Sequence, residues 1–366
     1  MKKIGIDARF YFQTGVGTYI RNLLFYLDKK NPKKEIFYVY LRRQDAAKIK
    51  FKNKNIIKRI ADQKWHSFSE QLSFLALLVR DNLDLMHFTY FSYPVFYWKK
   101  FIATIHDTTP LFFKTGKAST KNTLIYQIKH FFFKIVVYLQ VKRAIKIITP
   151  TYAVKKQLTD IYGSEISKKL YPIYEGVSYE IFTAKENKSF GIKFKDFFIY
   201  VGNFYPHKNV ERLIDAFAKI SDKYHLILIG PNDYFTDRII KYIGTSKSKN
   251  KIILIKNPPM SDLIFFYKNA LAIIHPSLSE GFGLPLVEAA YFDTPIMASN
   301  IEIFKELWGD QYLSFDARDS SDIYKKIQYF IDKKPRFEYN KIIKKYSFEK
   351  MSQETLKIYH SVTQNS

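Results

Sequence analysis

The chain has 366 residues, 47% of them apolar, no cysteine, and a formal net charge of +25. That length favours two domains over one, and the missing cysteines exclude disulfides, thiolate metal sites and cysteine nucleophiles. No run of eighteen uncharged apolar residues is present and the opening MKKIGIDARF reads as a strand, not a signal peptide, so a cytoplasmic protein is expected.

In chain order, KIGIDARF, IFYVYL, LMHFTY, FIATIHD and IKIITPT predict strands, with helices over Tyr19–Asp28 and Ser69–Arg80 between them. The pattern then restarts: FFIYVGN, HLILIG, IILIKN, LAIIHPS and TPIMASN predict five more strands, with helices over Val210–Ile220, Ser261–Asn269 and Pro285–Tyr291. Such alternation predicts two doubly wound, parallel α/β domains, Rossmann-like in class. The expected domains are 1–180 and 181–346, divided within the polar segment Tyr179–Lys195, and a helical tail, 347–366, is expected to return to the first.

The charge is uneven, with 32 Lys and Arg against 11 Asp and Glu in residues 1–170, and 27 against 23 in the rest. A basic half attracts an anionic membrane surface or nucleic acid. A coding bias toward lysine accounts for part of the total but not for the asymmetry. No aromatic-basic recognition run of the kind that binds RNA occurs, so no nucleic-acid partner is expected. The stretches Lys48–Arg59 and Lys129–Arg143 are the expected lipid-facing ones.

Ligands of open α/β sheets sit beyond the carboxyl ends of the strands. After the first strand comes QTGVGTYIRNL, in which Gly15 and Gly17 open a helix and allow backbone N–H groups to approach a phosphate. It is a poor dinucleotide fingerprint, because Ile20 replaces the third glycine and the second strand ends in Arg42 and Arg43, not an acid. An NADP oxidoreductase and a plain structural turn stay open at this point.

The stretch HPSLSEGFGLPLVEAA, His275–Ala290, sets Glu280 and Glu288 at the two ends of a glycine-rich bend. It reads as a strand, a loop, and a helix begun near Pro285, with Glu288 on the first turn. The N–H groups around Gly283 and Leu284 form an anion site. Two carboxylates flanking an anion should meet neutral hydroxyls, which is the arrangement of sugar, diphosphate and ribose. A glycosidase pair would have to converge on one bond, and a phosphate-seeking loop between its acids would serve nothing. A helix-capping acid is the bland alternative for Glu288 alone.

PSLSEGFGLPLVEAA, together with YVGNFYPHKNVERLIDAF, TPIMASN and GIDARFYFQTGVGTYIRNLL, resembles glycosyltransferase family 4, retaining enzymes of the two-domain GT-B fold that use nucleotide sugars. The opening and YEGV, Tyr174–Val177, are similar to the bacterial members that build O-antigen and capsule, often as mannosyltransferases. The resemblance implies a central cleft between the domains. It implies that Glu280 holds donor-sugar hydroxyls, Glu288 the ribose, and the backbone of Gly281, Phe282, Gly283 and Leu284 the sugar and diphosphate. Lys208 would neutralise the departing diphosphate, Gly15 and Gly17 would approach it, and His106 would contact the sugar beside the anomeric carbon. Asn203 and His207 stand where the family commonly has an arginine, so the diphosphate clamp is expected to be thinner, or His207 to substitute for the arginine when protonated.

The base loop is expected at Asn257, where Pro258 and Pro259 remove two donors. GDP-mannose is the leading donor expectation, a UDP- or dTDP-sugar the alternative, and a GT-B phosphorylase or epimerase the nearest other activity. No cofactor or metal is expected. The acceptor is expected to be a lipid-linked saccharide or growing polysaccharide, met through the loops 89–100 and 111–121, with the enzyme held peripherally at the inner face of the plasma membrane.

Overall fold

The computed structural model describes residues 1–13, 15–113, 123–187 and 196–364. Parts of the expected acceptor loop 111–121 and of the boundary segment 179–195 lie outside the described residues. The chain divides into two compact units, one drawn from Met1–Thr108, Ala118–Glu175 and Ser347–Ser366, the other from Thr109–Lys117 and Gly176–Tyr346.

The first unit is built on seven parallel strands: β1 (Lys2–Asp7), β2 (Glu35–Leu41), β3 (Ile56–Ile60), β4 (Leu85–Phe88), β5 (Phe101–Thr104), β6 (Lys146–Thr149) and β7 (Leu170–Pro172). Their order is β3-β2-β1-β4-β5-β6-β7. Apolar side chains fill the central strands on both faces, as parallel sheets covered by helices require. The edge strands β3 and β7 escape the sequence reading because one is half exposed and basic and the other has three residues.

The helix Phe348–Thr363 packs on the helix Gly15–Lys30 and on β4. It is held by polar bonds as well as apolar contact. Tyr359 Oη lies 2.7 Å from His87 Nδ1, whose Nε2 lies 2.7 Å from Thr104 Oγ1, and His360 Nε2 is 2.8 Å from Glu35. Burial, with the neighbouring His106 second, pushes His87 down to about 3. A neutral ring has one donor and one acceptor nitrogen, which suits two hydroxyl partners.

The Asp-x-Arg of the opening motif is a buried clamp. Arg9 is 1% exposed and grips Asp7 through Nε at 2.9 Å and Nη2 at 2.6 Å, with Nη2 also 2.7 Å from Glu70 Oε1. Ser92 Oγ donates to Glu70, and the guanidinium lies 4.0 Å over the ring of Phe74. The helix expected over residues 69–80 accordingly starts as a π-helical turn, Glu70–Phe74, before becoming α-helical at Leu75–Asp81. Such turns occur where a side chain is diverted from regular spacing, here Glu70 toward Arg9.

The second unit has six parallel strands, β8 (Phe197–Val201), β9 (His225–Gly230), β10 (Ile252–Lys256), β11 (Ile273–His275), β12 (Ile296–Ser299) and β13 (Leu313–Phe315), in the order β10-β9-β8-β11-β12-β13. The helix Val210–Phe217 sets Leu213 and Phe217 against Phe198 and Leu228. This anchors the loop that precedes it on the core.

Candidate active site

In each sheet the strand order reverses between two neighbours: β1 and β4 in the first, β8 and β11 in the second. Loops leaving such a pair diverge, which makes the switch point the natural ligand crevice. The loop after β8 carries Asn203, His207 and Lys208, and the loop after β11 carries Glu280 to Gly283.

Lys208 Nζ donates to Glu280 Oε1 at 2.6 Å, and His275 Nε2 lies 2.7 Å from the same oxygen. A carboxylate only accepts, so Nε2 carries the proton. Burial opposes ionisation of Glu280, but Lys208 and the His275 hydrogen bond outweigh it and hold the carboxyl well below the usual carboxylate range. Both contacts fall on Oε1 and none, among the described residues, on Oε2. The second oxygen is therefore the one a ligand hydroxyl can meet.

His275 was not singled out from the sequence, where it reads as the last residue of a strand. It is 1% exposed, stacked on Tyr200 at 5.6 Å and edge-on to Phe304 at 5.8 Å. Those aromatic walls fix the ring and, through it, the rotamer of Glu280. Glu280 thus has a hydrogen-bond donor from within its own stretch, His275, and a cation from outside it, Lys208.

Gly283 precedes the helix Leu284–Tyr291 with φ of 84°, and a Cβ there would stand 2.8 Å from Phe304 Cε1. Only glycine meets both demands. No side chain caps the helix start; Pro285 has no N–H and the Leu286 N–H is taken by the Gly283 carbonyl at 2.9 Å, which leaves the Leu284 N–H and the helix dipole for an anion. Leu284 is the first helical residue and Pro285 the second, which puts Glu288 fifth and so on the second turn, not the first as expected. The capping explanation of Glu288 fails with it. Its Oε2 accepts from Tyr267 Oη at 2.8 Å, a fully buried partner that the sequence did not signal.

His207 is buried, with Tyr205 and Phe113 at ring distances of 5.8 and 6.0 Å. Burial, followed by the charge of Lys208, pushes it down to about 3. A ring held so low is neutral at pH 7, which favours the thinner diphosphate clamp over a protonated His207. Asn203 offers its carbonyl to Tyr200 Oη at 2.5 Å, while its buried Oδ1 has no partner among the described residues. The Phe282 side chain packs edge-on against Tyr346, ring centroids 5.5 Å apart. Asn257 is exposed in a left-handed conformation, φ 46°, and its N–H is taken by the Gly230 carbonyl at 2.8 Å. With two prolines following, its side-chain amide is what remains for a base.

In the first unit Gly15 is exposed at the start of its helix and a Cβ there would touch nothing within 4 Å. A Cβ on Gly17 would stand 2.6 Å from the Tyr11 carbonyl oxygen, so Gly17 is needed for the turn itself. His106 follows β5 with Nε2 3.0 Å from the Thr89 carbonyl oxygen and Nδ1 3.3 Å from Glu175 Oε1. Glu175 belongs to the YEGV segment, and its place beside His106 was not foreseen. Arg42 lies over the Trp65 ring and Arg43 pairs with Asp62. Among the described residues, no three His, Cys, Asp or Glu are grouped to hold a metal ion, and no helix is long and apolar enough to cross a membrane.

Residues 183–350 match the family described as glycosyl transferases group 1. The chain is 28% identical over 293 residues to the O-antigen chain mannosyltransferase RfbU of Salmonella typhimurium, covering 79% of this chain and 77% of that protein. It is also 28% identical over 136 residues to the O-antigen chain mannosyltransferase B of Escherichia coli, covering 36% of each. Among solved structures, the sucrose-phosphate synthase of Thermosynechococcus elongatus aligns over 100% of both chains with a TM-score of 0.79 at 15% identity. Anabaena HepE in complex with UDP and glucose aligns over 99% of this chain and 100% of its own, TM-score 0.72, at 16% identity. At such identities these structures speak for the fold alone, which is GT-B, two doubly wound parallel sheets.

Proposed function

We propose that the chain, whose residues 183–350 match the glycosyl transferases group 1, is a retaining enzyme that moves mannose from GDP-mannose. The proposed acceptor is a lipid-linked or growing cell-surface polysaccharide, met at the cytoplasmic face of an anionic membrane. The observation that carries the reading is the grouping at the β8–β11 switch point of an ionised Glu280, Lys208 and an uncapped helix N-terminus. Oε2 of Glu280 accepts from sugar hydroxyls, and charge-assisted bonds of this kind contribute about 1.5–3 kcal/mol each. Lys208 and the helix start meet the diphosphate, whose negative charge grows as the glycosidic bond breaks. Glu288, held by Tyr267, accepts from the ribose. His106 is the proposed catalytic group of the first unit, and a donor phosphate oxygen takes the acceptor's proton.

Mannose is favoured by the activities named for RfbU and mannosyltransferase B. Thermal unfolding in the presence of GDP, UDP and dTDP tests the donor. A ligand at 100 times its dissociation constant adds about 2.7 kcal/mol of stability, and GDP is expected to do so at the lowest concentration. Stabilisation by UDP alone would refute GDP-mannose while leaving the transferase reading intact. No response to any of the three would refute both.

A further inference from the structure

Three segments of the first unit are tied together on its surface. Gln71, on the π-helical turn, donates to the Tyr93 carbonyl and accepts from the Val95 N–H. From the helix Thr123–Arg143, Arg143 donates to the Val95 and Tyr97 carbonyls and Gln140 to that of Tyr90. Phe133 of the same helix contacts the rings of Phe91 and His66. The helix spends its inward face, Phe133, Val137 and Gln140, on these contacts.

Its other face is apolar as well. Ile128, Phe131, Phe132, Ile135 and Tyr138 recur at helical spacing, and all are exposed, Phe131 by 62% and Phe132 by 60%. The loop it anchors adds Trp98, 66% exposed, and Phe96. The π-helical segment adds Leu72 and Phe68, the latter 90% exposed. Soluble surfaces rarely expose large apolar side chains in such clusters, because each forgoes the free energy of its burial.

Charge decides what covers this face. Residues 64–72, 90–100 and 127–143 hold seven Lys or Arg and one acid, Glu70, which is buried against Arg9. A second copy would bring like charges together, and the aliphatic Ile128, Ile135 and Leu72 give nothing to stack on a base. Aromatic rings at the headgroup level with lysines around them are the composition of an interfacial helix on anionic lipid. The other stretch expected to face lipid is partly committed elsewhere: Lys58 Nζ bonds the Ala46 and Ile49 carbonyls and Arg59 pairs with Asp81.

We propose that the helix Thr123–Arg143, with the loop at Phe96 and Trp98 and the turn at Phe68, inserts its exposed aromatic side chains into an anionic bilayer. This rests on the membrane partner proposed above, and it replaces attraction of surface lysines by apolar insertion as the main source of binding.

The test is sedimentation of the full chain with phosphatidylglycerol–phosphatidylethanolamine vesicles and with phosphatidylcholine vesicles. Raising salt from about 0.1 M to about 1 M cuts the screening length from ~10 to ~3 Å. Binding to the anionic vesicles should weaken but persist, and Trp98 emission should shift to the blue. Phe131→Ser with Phe132→Ser should lower partition about tenfold or more and abolish what persists at high salt. The same variant should keep the wild-type stabilisation by nucleoside diphosphate, which separates lipid binding from folding and donor binding. The proposal is overturned if the double variant binds vesicles like the wild type or if binding of the wild type to the anionic vesicles vanishes at about 1 M salt. It is equally overturned if the face proves to close a dimer that the substitutions disperse, or if an oligonucleotide, not lipid, shifts Trp98.

Discussion

Lys208→Ala is expected to lower turnover at saturating donor about 10²–10³-fold, the usual cost of removing one preorganised group aimed at developing charge. Donor affinity should fall much less, because the diphosphate carries more charge once the sugar has left than before. In the free protein the ammonium is already bonded, at 2.6 Å, to Glu280. To meet a diphosphate it must share or release that oxygen, and His275, 2.7 Å away on the other side, keeps the carboxylate satisfied when it does. His207, neutral beside it, adds no second cation, so little else compensates. Separate measurement of kcat and KM decides the matter. A loss confined to KM would mean that Lys208 binds the ground state and the transition state alike.

Arg9→Ala is expected to destabilise the first unit by about 3–5 kcal/mol, since removing one partner of a buried ionic group strands the others. Arg9 is the shared cation of Asp7 and Glu70, and both carboxylates are buried. The alanine variant leaves two like charges in one buried site, with Ser92 Oγ and the His66 N–H as the remaining donors to Glu70. It also removes the Arg9 bond to the Gln63 carbonyl, so the segment 63–70 loosens with it. Urea unfolding followed on the first unit checks this. A loss under about 1 kcal/mol would show that the carboxylates protonate or hydrate at little cost, and that the clamp is not what orders the segment.

The sequence announced ten of the thirteen described strands and the glycine-rich bend because parallel strands buried on both faces stand out as apolar runs and because glycine and proline punctuate turns. It missed β3, β7 and β13, which are short or half exposed and lack that signature. The partners of the two glutamates were hidden for a different reason. His275 looks like part of a strand and Tyr267 like a core aromatic, and what sets them apart is which side chain they face, 5 and 21 residues away in the chain. His207 shows the converse. Its identity suggested a cation, but protonation depends on burial and on the charge of Lys208, neither of which a residue name carries. In the sequence Lys129–Arg143 reads as aromatic and basic together, but which of its aromatic side chains solvent meets is not legible there: on the helix Thr123–Arg143 Phe131, Phe132 and Tyr138 are exposed.

Titration of GDP and UDP into Glu280→Gln and Glu288→Gln tests the central claim, that the bend presents one carboxylate to the sugar and the other to the ribose. Glu288→Gln should weaken the free nucleoside diphosphate roughly ten- to a hundred-fold, since a lost charged hydrogen bond of ~1.5–3 kcal/mol has that effect. Glu280→Gln should leave that ligand bound at least as tightly as in the wild type, because Oε2 meets only the sugar and a neutral amide frees Lys208 for the phosphates. If Glu280→Gln weakens the nucleoside diphosphate as much as Glu288→Gln does, the division of the two glutamates between sugar and ribose is wrong.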